Sequence, residues 1–263
     1  MKARNPALRY LGRGYVGLVL FFLYAPILVM ALMSFNASEF YAFPLSFTLD
    51  WYRKLAGNSE IIASAWRSLW IAVTTTVIAT GLGTAAALAL FRYEFRGKAL
   101  LQALLFPPIA IPWLIVGTAM LIFFFWVGIG RGAPAVILGH VALALPYVIV
   151  VVMARLQTFD GQLEEAARSL GANQWIVTRD VTLPWVASGV VAGALFAFAV
   201  SFDQFVVSYF LAQPGDATLP VVIYTAIRKG FTPEINAIST IIIAISMTVM
   251  LAASRYFKFG GER

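Results

Sequence analysis

One acidic residue, Asp203, stands inside an apolar stretch of this sequence, where a carboxylate costs on the order of 2–4 kcal/mol unless it is paired or wet. Two readings of it stand. It is a counter-charge for a cation passing mid-membrane, or it makes an internal hydrogen bond that fixes helix packing. At 100° per residue Asp203 shares a helical face with Phe196 and Val200, while Gly193 lies about 80° away. Gln204 adds an amide beside the carboxylate, and Trp113, in another apolar stretch, offers a cation–π face. Other reactive chemistry is sparse. There are no cysteines, which excludes disulfides, thiol nucleophiles and Cys-ligated metals. His140 is the only histidine, and a packed or hydrogen-bonded role suits it better than service as a lone metal ligand. No His or Asp cluster supplies a catalytic set, and no Gly-x-x-x-x-Gly-Lys-Ser/Thr run cradles ATP. We therefore expect no catalytic residue, metal or cofactor in this chain.

The elements that position these residues are written in the composition. The chain is 61% hydrophobic and 12% charged over 263 residues, with a mean hydropathy of +0.84. Soluble proteins carry about a quarter charged residues. Stretches of about 20 apolar residues read as membrane spans, and six occur, at 14–35, 68–91, 100–127, 135–156, 185–212 and 235–257. The first follows a basic segment, but it is long for a signal-peptide core and contains Pro26, so it reads as an uncleaved span. The net charge of +7 does not point to nucleic acid, because the basic residues cluster at span ends. With both termini inside, 13 of the 19 Lys and Arg residues fall on the inner side and 6 on the outer. That asymmetry sets the orientation.

Between the spans, residues 36–67 mix Trp51, Tyr52, Ile61, Ile62 and Trp66 with polar residues and suggest an interfacial helix. The segment 128–134 is a glycine-rich turn, and 213–234 is apolar enough to re-enter or pack on the spans. Pro107, Pro108 and Pro112 bend the third span, either as a tolerated kink or as irregular backbone lining a path. Gly189, Gly193, Ala197 and Ser201 recur every four residues on the fifth span, a spacing that lets helices approach closely.

A polar segment at about 158–184 interrupts the grease. It contains Glu164, Glu165, Ala166, Ala167 and Gly171, then Trp175 and Ile176, and closes on Val181-Thr182-Leu183-Pro184. Asp160 is placed to cap a helix starting near Gly161, and Glu164 and Glu165 suit its positive end. Gly171 ends that helix. Asn173 caps a second short one, which Pro184 is expected to stop before the fifth span. The bent pair offers Ala166, Ala167, Leu170, Trp175 and Ile176 to water, as a docking surface would. The charge asymmetry puts this loop on the inner side.

The spacing Glu-Ala-Ala, three residues, Gly, nine residues, an aliphatic residue, one residue, Leu-Pro resembles the cytoplasmic loop of bacterial ABC importer permeases, with Val181 where the usual pattern has Ile. The resemblance extends over nearly the whole chain to permeases of the spermidine/putrescine type, through Ser201-Phe202-Asp203-Gln204-Phe205, Leu219-Pro220-Val221-Val222-Ile223-Tyr224 and Thr232-Pro233-Glu234-Ile235-Asn236-Ala237. It implies an all-α integral membrane protein with six transmembrane helices in the type I importer (MetI-like) fold, a single transmembrane domain over 1–263. It implies that Glu164, Glu165, Ala166, Ala167, Gly171, Trp175, Leu183 and Pro184 couple to an ATPase. Asp203, Trp113, Gln204 and Phe196 are expected along the substrate path. The implied partners are a second related permease, two ATPase subunits that bind ATP and Mg, a periplasmic binding protein and membrane lipid, but no nucleic acid. The implied location is the bacterial inner membrane. Trp113 and Gln204 stand where polyamine relatives tend to have acidic residues, so an amino-acid derivative, an opine or an aminophosphonate stays open beside a polyamine. A secondary transporter or channel needs several intramembrane charges or an inverted repeat, and only Asp203 is present.

Overall fold

The computed structural model describes residues 6–38, 45–105, 107–230 and 233–256. Phe106, Phe231, Thr232, residues 39–44 and both chain ends lie outside the described residues. The helices run α1 (Pro6–Met33), α2 (Asp50–Gly57), α3 (Ser59–Arg92), α4 (Lys98–Leu105), α5 (Pro107–Ala110), α6 (Trp113–Trp126) and α7 (Ala133–Leu156). They continue with α8 (Gln162–Ser169), α9 (Gln174–Ile176), α10 (Leu183–Phe202), α11 (Val206–Leu211), α12 (Leu219–Lys229) and α13 (Pro233–Tyr256). Among the described residues the only extended pairing is an isolated bridge between Asn36 and Phe47. The chain forms two compact units, residues 1–62 with 223–263 and residues 63–222.

Each of the six apolar stretches falls on helix. Those within α1, α3, α7 and the continuous helical run Gln174–Phe202 are each long and apolar enough to cross a bilayer. The third stretch is a pair, Lys98–Ala110 and Trp113–Trp126, bent by 112°. Its prolines explain the break: each lacks an N–H, and each disfavours helical backbone in the residue before it. Pro26 and Pro146, by contrast, sit inside α1 and α7 without ending them. The sixth stretch forms α13, with a shorter apolar helix over Pro233–Thr248.

In the first unit, α2 is what the expected interfacial segment contributes. Trp51 turns inward and donates its indole N–H to the Asn36 carbonyl at 2.7 Å. Ile61, Ile62 and Trp66 instead belong to α3, which starts at Ser59 rather than at 68. Asn58 moves that boundary, because its Oδ1 accepts the Ile61 N–H at 3.2 Å and caps the helix.

The second unit is built around α7. Ala144, Val148, Ile149, Val152 and Leu156 pack between Ala79, Ala87 and Leu90 of α3 and Val186 and Ala197 of α10. The small-residue stripe of α10 is buried as its spacing predicts. A Cβ on Gly189 would meet the Arg155 Cβ at 2.8 Å, so the approach to α7 admits nothing larger than hydrogen there. Gly83 on α3 makes the same kind of contact with Val148, at 2.7 Å. A second apolar cluster joins Leu143 and Val136 of α7 to Phe124 of α6 and to Val207 and Leu211 of α11. The segment before α12 packs on α3: Arg67 bonds the Ala217 carbonyl at 2.8 Å and the Asp216 carboxylate at 3.0 Å, and Ser68 Oγ accepts the Leu219 N–H at 2.8 Å.

The fifth span departs from expectation at both ends. Pro184 does not stop a short helix before it. The chain runs unbroken from α9 into α10 through a π-helical stretch, Val177–Thr182, whose wide turn closes with the Leu183 N–H on the Thr178 carbonyl. The next residue is Pro184, in the first turn of α10 directly after that wide turn. At the far end the expected continuous span to 212 ends at Phe202, and α11 begins only at Val206.

Candidate functional site

The polar loop folds from its own sequence signals. Asp160 Oδ1 accepts the Gln162 N–H at 3.0 Å and starts α8. Gly171, at φ +86°, ends it. The Gly171 N–H bonds the Arg168 carbonyl at 2.9 Å and the Ala172 N–H bonds the Ala167 carbonyl at 3.1 Å, the paired closure of a Schellman turn. Asn173 then caps α9 by accepting the Ile176 N–H at 3.0 Å.

The two glutamates separate. Glu165, the first residue of the Glu-Ala-Ala motif, is exposed, as are Ala166, Gly171, Ile176 and Pro184, with Ala167 and Leu183 half-buried. Leu170 is 90% and Trp175 68% exposed. Glu164 points the other way and is only 9% exposed. Its Oε1 accepts from Arg92, the last residue of α3, and from the Thr182 hydroxyl at 2.6 Å. Its Oε2 accepts from Arg168 at 3.0 Å. Arg92 also donates to Thr178 Oγ1 at 2.5 Å and to Thr182 Oγ1 at 2.6 Å, and Arg168 reaches the Gln174 side chain at 3.2 Å. Burial alone would raise the Glu164 pKa, but the hydrogen bonds from Thr182 and Arg92, with the charges of Arg92 and Arg168, hold it below the ordinary value. A carboxylate held low stabilises the fold above its unfolded pKa, and that contribution is lost as pH falls through the folded value. At neutral pH the node is fully formed. Removing one member of such a buried pair costs about 3–5 kcal/mol.

Of the expected substrate-path residues, Asp203 and Gln204 stand at the break in the fifth span, Phe196 lies two turns earlier on α10, and Trp113 opens α6. Asp203 caps the end of α10 and is exposed, and among the described residues nothing hydrogen-bonds or ion-pairs its carboxylate. Phe196 and Trp113 are likewise exposed on the single chain. Gln204 is 1% exposed, and its Oε1 accepts the Val206 N–H at 3.2 Å, which starts α11. The structure thus places Asp203 outward and Gln204 inward at consecutive positions. His140 of α7 holds the break from behind. Its two ring nitrogens meet Ser201 Oγ at 2.8 Å and Ser208 Oγ at 3.0 Å, one on either side of the interruption. One nitrogen donates and the other accepts, and both serine hydroxyls and the imidazole are buried. The hydrogen-bonded role read for His140 is the one it has.

Sequence reasoning missed Arg92, Thr178, Thr182 and Ser208. Arg92 was legible only as one more inner-side positive charge, and nothing in local spacing links it to a glutamate in another element. Ser208 sits two turns beyond Ser201 in the sequence, but the His140 bridge needs the intervening break.

Known proteins match this chain over most of its length. Residues 79–259 match the family described as "Binding-protein-dependent transport system inner membrane component". The spermidine/putrescine transport system permease protein PotC of Escherichia coli (strain K12) is 35% identical over 245 residues, 93% of each chain. The putrescine transport system permease protein PotI of the same strain is 35% identical over 229 residues, 84% of this chain and 82% of that one. Among solved structures, a chain of a bacterial ABC transporter involved in the import of the acidic polysaccharide alginate superposes with a TM-score of 0.76 at 14% identity, covering 98% of this chain and 99% of that one. At that identity the likeness is one of fold.

Proposed function

This chain belongs to the family of binding-protein-dependent transport inner-membrane components, and from that premise we propose that it is the permease of an ATP-driven polyamine importer, lining half of the translocation path. The observation that carries the reading is the docking surface: Leu170 and Trp175 stand exposed on a polar loop whose other side is locked to α3 through Glu164. An apolar patch held rigid in water is what a partner subunit needs. The partner beneath it is an ATPase that binds ATP and Mg. This chain lacks a phosphate-cradling motif, so the nucleotide chemistry belongs to that subunit.

The remaining partners are a second, related permease completing the path, a periplasmic protein delivering substrate, and lipid around the spans. Both termini lie in the cytoplasm, an orientation supported by the 13 inner against 6 outer basic residues. A polyamine is favoured by kinship to permeases named for spermidine and putrescine. It fits an outward-facing, unpaired carboxylate at a break in a span, where irregular backbone is tolerated if it lines a cavity. Asp203 is the counter-charge, Trp113 and Phe196 are aromatic faces along the path, and Gln204 shapes the backbone that presents the acid.

Reconstitution tests this. The complex of this permease, its partner permease and its ATPase, in proteoliposomes with the cognate binding protein, should take up radiolabelled spermidine at least tenfold faster with enclosed ATP than without. Uptake driven by an ion gradient with no nucleotide would make it a secondary transporter. ATP-dependent uptake of an aminophosphonate instead of spermidine would keep the importer and discard the polyamine.

A further inference from the structure

We propose that Arg92 is the joint through which the docking loop moves the inner end of α3, making it a positioning residue for transport. The inference rests on the importer reading above and names the coupling element within it. The loop is covalently continuous with α7 on one side and, through the π-helical stretch, with α10 on the other. It has no such link to α3. Among the described residues, every hydrogen bond between the loop and α3 runs through the Arg92 guanidinium.

That guanidinium gathers three residues from two elements of the loop. Nη1 donates to Thr178, and Nη2 donates to Glu164 and Thr182. Glu164 lies on α8, while Thr178 and Thr182 lie on the π-helical stretch, so one side chain joins both arms of the bent loop to a third helix. A planar fork holds such contacts in fixed geometry, which a flexible ammonium does not. The Arg92 and Glu164 side chains are 13% and 12% exposed, so water and salt screen the pair weakly. The buried Arg92 Nε has no partner, so the fork is held by its Nη contacts alone. A push on Leu170 or Trp175 from below therefore reaches α3 at Arg92, 72 residues before Glu164 in the sequence.

The test uses the assembled complex in proteoliposomes, with a single cysteine in place of Tyr93, the exposed residue that directly follows Arg92 at the end of α3, in a chain that has no other cysteine. Its maleimide labelling rate should change at least threefold between nucleotide-free and vanadate-trapped states. Arg92→Gln complexes are purified through a tag on the ATPase, so that only assembled complex is compared with native, and in them ATP hydrolysis should stay within about twofold of the native rate. The nucleotide-dependent labelling change should vanish, and spermidine moved per ATP should fall at least tenfold. Arg92→Lys, which keeps the charge without the planar fork, should fall between Arg92→Gln and native in spermidine moved per ATP. Thr182→Val, which keeps the buried volume and removes one hydroxyl, should lower coupling about threefold with assembly intact.

The joint is refuted if Arg92→Gln keeps native labelling and transport, if Lys is no better than Gln, or if native α3 shows no nucleotide-dependent change. Loss of the assembled complex in both Arg92→Gln and Thr182→Val would refute it as well, leaving only a structural clamp. Failure of the importer reading looks different: the native chain itself would then retain no ATPase.

Discussion

Gly171→Pro is expected to abolish ATPase co-purification while the permease still inserts into the membrane at close to native yield. Gly171 sits at φ +86° with nothing within 4 Å of the position a Cβ would occupy, so the substitution meets no steric wall. What fails is the turn. Proline cannot take positive φ, and it removes the N–H that bonds the Arg168 carbonyl at 2.9 Å. Without that closure α8 and α9 no longer hold Leu170 and Trp175 on one surface. Gly171→Ala makes the argument graded: alanine keeps the N–H and carries only the left-handed backbone penalty of about 1–2 kcal/mol, so co-purification should fall five- to thirtyfold at limiting ATPase. Glu165→Lys, which reverses an exposed charge on the same surface, should also lose the ATPase. A quantitative pull-down against membrane yield reads all three. Native retention in Gly171→Pro would remove the loop from the docking role.

Asp203→Asn should slow cation transport at least tenfold, about 1.4 kcal/mol at the rate-limiting barrier, with assembly and ATP hydrolysis preserved. A structural carboxylate behaves differently. It is tied to a donor, and its loss lowers the yield of folded complex. Asp203 has no such tie among the described residues, whereas the adjacent Gln204 and the buried His140 carry the hydrogen bonds that build the break. The rate and the yield of assembled complex, measured on one preparation, separate the two roles. Unchanged transport by a well-assembled Asn variant would take Asp203 out of the path and weaken the assignment of a cationic substrate.

Much of this architecture was legible because its causes are local. Apolar runs mark the spans, Gly171 and Asn173 mark the turn and cap of the loop, and the Gly189-Gly193-Ala197-Ser201 spacing marks the face that packs on α7. Features decided by distant partners were not. Pro184 looks like a stop signal, yet the preceding π-helical stretch lets the helix pass it. Asp203 and Gln204 look like polar residues within one continuous span, but Gln204 starts a new helix and His140 braces the gap from α7. The division of labour between the two glutamates depends on Arg92, and no window of sequence around residue 164 contains it. Glu165 carries the motif and faces outward; Glu164, one residue earlier, carries the anchor.

The most direct test of the account is what touches Trp175. This residue is 68% exposed on the loop, apolar, and makes none of the hydrogen bonds of the Arg92–Glu164 node that holds the loop in place. Replacing it with the photo-cross-linker benzoylphenylalanine, in cells expressing the full transporter, should give on irradiation a single major adduct with the mass of this permease plus one ATPase subunit. The same adduct fixes the loop on the cytoplasmic side. An adduct with the periplasmic binding protein, or labelling of lipid with no ATPase product from an assembled complex, would contradict both the orientation and the docking role.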